Sequence, residues 1–153
     1  MFKKIALGCF ICFALVSLTG CGKQEQVEGT LEEIMNKVYS GFGEDELPNM
    51  LTNTAVTEDN IEYYLGTKDV DYEEALASES AMGSIAHSVV LIRMKENADI
   101  EKAKQTIEES VVPNKWVCVE AEEVVVKNKG NLIILIMSST DTAERIETNF
   151  DNL

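Results

Sequence analysis

The sequence predicts a single α+β domain: an antiparallel sheet of about four strands with helices packed on one face. Three observations predict it. The recognisable segments run α-β-β-α-β-β-α, an order most simply solved by an antiparallel sheet with helices against it. Residues 85–94 and 132–137 are almost continuously apolar and of strand length, the pattern of strands covered on both faces. Three further stretches carry apolar side chains at helical spacing behind capping residues.

The first helix begins at Thr30, where Thr30-Leu31-Glu32-Glu33 has the capping-box spacing of a hydroxyl followed three residues later by a carboxylate. Leu31, Ile34, Met35, Val38 and Phe42 form its apolar stripe, and Gly41 and Gly43 offer a stop. A loop follows from residue 44. Ile61, Tyr63 and Leu65 then alternate with Glu62 and Tyr64, which reads as a short half-buried strand. Residues 71–80 are ambiguous between strand and helix, because Asp71 and Glu74 have helix-cap spacing and Glu, Ala and Leu favour helix. Residues 85–94 read as a central strand.

Asn97 or Asp99 caps a second helix with Ile100, Ala103, Ile107 and Val111 on its buried face and Pro113 at its end. Residues 116–121 read as extended. Val124, Val125 and Val126 and the run 132–137 flank a turn sequence, Lys127-Asn128-Lys129-Gly130-Asn131, that signals a hairpin. Asp141 and Glu144 open a last helix with Ala143, Ile146 and Phe150 on one side.

The N-terminus carries the most specific signal. Lys3 and Lys4 precede an apolar run over residues 5–18, which is too short to span a bilayer and has a secretory signal's charge order. Leu18-Thr19-Gly20-Cys21 resembles the lipobox of bacterial lipoproteins. The resemblance implies cleavage between Gly20 and Cys21 and a diacylglycerol on the Cys21 thiol. Each buried methylene of such an anchor contributes roughly 0.8 kcal/mol, and two chains hold far better than one. The competing reading, a buried N-terminal helix, leaves the co-occurrence of basic start, apolar middle and small-residue end unexplained. Residues 22–29, GKQEQVEG, read as a flexible tether with an r.m.s. span of about 15 Å. The expected division is therefore signal peptide 1–20, lipidated cysteine and tether 21–29, and domain 30–153. The expected location is the extracytoplasmic face of the cell membrane.

Composition bounds the partners. The whole chain has a net charge of −14, and the leader holds two lysines and no acid, so the remainder is more acidic still. Nucleic acid, which needs a basic face, is excluded as a partner. The membrane through the lipid on Cys21, a basic or other envelope protein, a cation or a neutral wall component remain; a solvated surface that only keeps the protein soluble is the plainer account of the charge. Cys9 and Cys12 leave with the leader, Cys21 takes the lipid, and Cys118 is left without an internal partner; it reads as a small buried hydrophobe.

The domain resembles a family of bacterial lipoproteins, typically Gram-positive, known as domain-of-unknown-function family 4358. The resemblance rests on Tyr64-Leu65-Gly66, on Asp71-Tyr72-Glu73-Glu74-Ala75, on Ser88-Val89-Val90-Leu91-Ile92-Arg93-Met94-Lys95, on Asn97-Ala98-Asp99-Ile100 and on the hairpin 124–138. It covers most of the chain after the leader. It implies an extended segment over residues 72–81, favouring strand there. It carries no catalytic residue, since the family has no established activity.

Candidate sites are few. His87, the only histidine, stands beside Ser84 and Ser88. A Ser-His hydrolase needs a nucleophile on the imidazole and a carboxylate behind it. Along a strand Ser88 points away from His87, and nothing resembles a nucleophile elbow. A structural histidine is the simpler reading. A zinc site lacks ligands, since Cys118 and His87 are the only strong nitrogen and sulfur donors of the domain. Asp69, Asp71 and Glu73 alternate, with Glu74 next; they read as a solvated acidic edge or as oxygen ligands for a cation. Glu120, Glu122 and Glu123 read as edge-protecting charges. Trp116 is either an exposed anchor or core. Tyr63, Tyr64, Tyr72 and Trp116 together are the best candidates to line a sugar- or peptide-binding groove. The sequence thus predicts a non-enzymatic, cofactor-free binding module at the cell envelope, with a small hydrolase using His87 as the alternative. A transporter's solute-binding component, usually two-lobed, needs a longer chain.

Overall fold

The computed structural model describes residues 26–43 and 45–153; the leader and Cys21 lie outside them. Within them the order is α1 (Leu31–Val38), β1 (Leu51–Ala55), α2 (Ile61–Leu65), β2 (Tyr72–Ser80), β3 (Ser88–Met94), α3 (Ile100–Ser110), β4 (Glu123–Lys129), β5 (Leu132–Ser138) and α4 (Thr140–Asp151). The class is α+β and the sheet is antiparallel throughout, in the order β1-β2-β3-β5-β4.

The sheet's size and cover differ from expectation. The sheet has five strands, and its helices cover both faces rather than one. Val89, Leu91, Leu132, Ile134 and Ile136 meet α1 and α4 on one side. Val90, Ile92, Met94, Ile133, Leu135 and Met137 meet α2, α3 and Trp116 on the other. Alternate residues of β3 and β5 thus enter two separate cores, which is why both strands read as unbroken apolar runs.

The extra strand, β1, has the sequence LTNTA and is exposed at most positions. As an edge strand it needs no apolar face, so periodicity has nothing to detect. Residues 61–65 form a helix, not a strand. Ile61, Tyr64 and Leu65 are buried, the i, i+3, i+4 set of a single turn, while Tyr63 faces outward. Gly66 closes that helix at φ 73°, and a Cβ there would lie 1.9 Å from the Ser110 carbonyl oxygen. The ambiguous stretch 71–80 is strand β2, with a bulge between Tyr72 and Glu74. The central strand starts at Ser88 instead of residue 85. Asp99 caps α3, accepting from the Lys102 N–H at 3.0 Å, whereas Asn97 takes a left-handed φ of 67°. Residues 116–121 are an irregular loop instead of an extended segment; Cys118, at φ 59°, is exposed on it, contrary to the buried placement expected.

The capping box of α1 is complete, with the Thr30 hydroxyl accepting from Glu33 N–H and the Glu33 carboxylate from Thr30 N–H. The described part of the tether is not free. The Arg93 guanidinium donates to the carbonyls of Val27 at 2.6 Å and Gly29 at 2.7 Å, and the Asn131 side chain accepts from Val27 N–H at 3.3 Å. Glu74 holds Arg93 Nε at 2.8 Å. The chain therefore enters the domain at the end of the sheet where β3 finishes and β5 starts.

Candidate functional site

The other end of the sheet, where β3 begins, gathers the buried polar groups. His87 and Ser88 are consecutive and fully buried, and successive side chains of an extended chain serve opposite faces. Each enters its own polar cluster.

On the α1 side, His87 Nδ1 lies 2.8 Å from Ser138 Oγ and Nε2 lies 2.9 Å from the Tyr39 hydroxyl. Tyr39 stands at the end of α1 and Ser138 at the end of β5. Burial pushes the imidazole down to about 4, against a smaller pull from Glu79, and it raises the Tyr39 phenol. The ring is therefore neutral near pH 7, with one nitrogen donating and the other accepting. Its hydrogen-bond partners among the described residues are both hydroxyls.

On the opposite face, Glu79 is the hub. Its carboxylate accepts from Tyr63 Oη at 2.7 Å, Trp116 Nε1 at 3.0 Å and Lys115 Nζ at 2.9 Å. Lys115 Nζ also approaches Ser88 Oγ at 3.3 Å. Its side chain and that of Glu79 are only 7% and 11% exposed. The ammonium sits 4.3, 5.0 and 5.1 Å from the ring centres of Tyr63, Tyr64 and Trp116. Desolvation lowers the Lys115 pKa, and Glu79 acts against that shift. The loop carrying Lys115 and Trp116 is fixed by Val117 N–H to the Gly83 carbonyl at 2.8 Å and Ala121 N–H to the Pro113 carbonyl at 2.9 Å.

Three of the four aromatic residues named from sequence, Tyr63, Tyr64 and Trp116, thus come together. They enclose the chain's own lysine instead of lining an open groove. Trp116 is core at 8% exposure. Tyr72 lies apart, at the start of β2. Ser88, excluded as a partner of His87 by strand geometry, is on the other face as argued, but Ser138 supplies a hydroxyl that sequence spacing could not reveal. Lys115 and Glu79 were equally invisible, being charged residues in segments with no periodic mark. The acidic run is divided: Asp71 pairs with Lys95 at 2.5 Å, Glu74 pairs with Arg93, and Glu73 points outward without an ion pair among the described residues. Among the described residues no group of three or more His, Cys, Asp or Glu side chains is placed to hold a metal ion, and no helix is long and apolar enough to cross a membrane.

No family model matches the chain, and neither a curated protein nor a solved structure is detectably similar to it.

Proposed function

We propose that the chain is a lipid-anchored, extracytoplasmic interaction module, held at the cell membrane through Cys21 and acting by binding an envelope partner rather than by catalysis. The observation that carries the non-catalytic half is the closure of both hydroxyl–base pairs. Ser138–His87 and Ser88–Lys115 lie at 2.8 and 3.3 Å, close to what a nucleophile and its base would need, yet His87, Ser88 and Ser138 are buried and little of the Lys115 side chain is exposed. The imidazole is also poised far below neutrality, whereas general-base work at neutral pH favours a pKa near 7. Anchoring is supported by the leader and by Gly20-Cys21; Val27 and Gly29, a few residues beyond, bond to Arg93 and Asn131 at the end of the sheet where β3 finishes.

The test is a paired one. Cys21→Ala is expected to move the chain out of the detergent phase while its circular dichroism stays that of the parent, and parental partitioning would overturn the anchor. His87→Gln is expected to complement a deletion of the gene; failure to complement by a variant that is still folded at the growth temperature would make the hydrolase reading the better one.

A further inference from the structure

β1 covers β2 only in part. It pairs with β2 from Leu76 to Ser80, and the last bond between the two segments runs from Val56 N–H to the Ala75 carbonyl at 2.9 Å. The chain then turns away into α2, with Thr57 N–H donating to the Asn60 side chain at 2.7 Å. Residues 72–74 of β2 are left with β3 on one side and, among the described residues, no strand on the other. At about 3.3 Å per residue this open edge is roughly 10 Å long.

A groove of about 440 Å³ runs beside it, with Leu31, Val56 and Leu76 among the residues that line it. It adjoins a second hollow of about 670 Å³ that shares Glu58, Tyr72 and Glu73. Four carboxylates line the first groove and no cation does: Glu32, Glu58, Glu73 and Glu74. Only Glu74 is compensated, by Arg93. Glu32, Glu58 and Glu73 are exposed and make no ion pair among the described residues.

We infer that the open edge of β2 is a docking site for an extended, basic peptide segment of a partner protein, which continues the line of β1 along residues 72–74. The inference rests on the reading of the chain as an interaction module and names the chemistry of its partner. Backbone hydrogen bonds to β2 supply the pairing, as in other strand additions. Alternate side chains of the peptide fall into the apolar groove. Lysine or arginine between them meets Glu32, Glu58 and Glu73, which repel acidic segments and set the specificity. Uncompensated charge on an edge otherwise discourages pairing with another copy of this acidic chain.

The experiment uses the full chain in a neutral detergent and a short fluorescein-labelled peptide alternating lysine with valine and threonine, followed by anisotropy. Saturable binding is expected. A version with glutamate in place of lysine is expected to show none. Two further versions carry N-methyl groups on alternate residues, one along each edge of the extended peptide. One methylated edge is expected to abolish binding and the other to preserve it, because a strand added to β2 presents only one edge to it. Glu58→Lys combined with Glu73→Lys, both exposed, is expected to weaken binding by about tenfold or more without changing the urea midpoint. Absence of binding, equal binding of both methylated versions, or parental affinity in the double variant would each overturn the inference. A failure of His87→Gln to complement would strike the module reading and leave these isotherms unchanged, so the two failures are distinguishable.

Discussion

His87→Gln gives the sharpest physical test of the buried cluster. Glutamine keeps one donor and one acceptor near Ser138 and Tyr39 but cannot titrate. In the unfolded chain the imidazole takes up its proton as pH falls through about 6.5; in the folded chain it stays neutral down to about 4. Between those values the unfolded state binds more protons, so acid favours unfolding. The contribution of neutral His87 is fully present above the unfolded value, declines as pH falls through the window and is gone below the folded one. The whole span is worth about 3 kcal/mol, and the part lost between pH 7 and pH 5 is about 2 kcal/mol. The variant starts lower at pH 7, by about 1–3 kcal/mol for imperfect replacement of two buried hydrogen bonds. It then loses about 2 kcal/mol less than the parent on going to pH 5. Surface carboxylates titrate alike in both chains and cancel. Urea melts of both chains at the two pH values read the difference directly. Parallel losses would show that the imidazole is not held neutral, and the sealed-cluster argument would fall with it.

Three further outcomes are expected. Ile134→Asp, at a fully buried position of β5, should unfold the domain, because an unpaired buried carboxylate costs a large share of a total stability of ~5–15 kcal/mol; the exposed Glu123→Gln should shift a urea melt by less than ~0.5 kcal/mol. Gly66→Ala should lower stability by more than the ~1–2 kcal/mol of a left-handed residue, since its Cβ also meets the Ser110 carbonyl at 1.9 Å; a melt like the parent's would remove that contact from the account. Glu79→Ala should cost about 3–5 kcal/mol by leaving Lys115 buried and unpaired and should change the emission of Trp116, the only tryptophan; unchanged emission would show that the hub is not where its hydrogen bonds place it.

Much of the architecture is legible in the sequence because it is written in apolar spacing and cap chemistry. Thr30 and Asp99 cap their helices as their hydroxyl and carboxylate suggest, and the Gly130-Asn131 turn closes the β4–β5 hairpin. What spacing misreads are the short and the peripheral. Over five residues, Ile61, Tyr64 and Leu65 fit one helical turn as well as Ile61, Tyr63 and Leu65 fit a strand, and only the left-handed Gly66 beyond them breaks the tie. β1 is invisible because an edge strand has no obligatory apolar side. The helices' split between two faces was encoded in the unbroken runs of β3 and β5, which imply cover above and below. The polar clusters could not be read at all: Ser138 is fifty-one positions from His87 and Lys115 thirty-six from Glu79, and no local pattern links either pair.

Those clusters have a structural consequence of their own. β3 and β5 are apolar at nearly every position and buried on both faces, so sliding one along the other by a residue exchanges one apolar surface for another at little cost. Alternation, which normally fixes register, is weak here. The polar residues at the strand ends supply what the apolar run cannot. A one-residue slip of β3 would turn His87 toward the face of Lys115 and Trp116 and Ser88 toward Tyr39, breaking bonds in both clusters at roughly 1–3 kcal/mol for each buried group left unpaired. At the other end of the same strand, Arg93 would lose Glu74 and the carbonyls of Val27 and Gly29. Pairs that look like catalytic dyads on distance alone are thus accounted for as pins of the sheet. The pinning stops along the outer side of residues 72–74, where β2 has lost its neighbour and Glu32, Glu58 and Glu73 make no ion pair among the described residues.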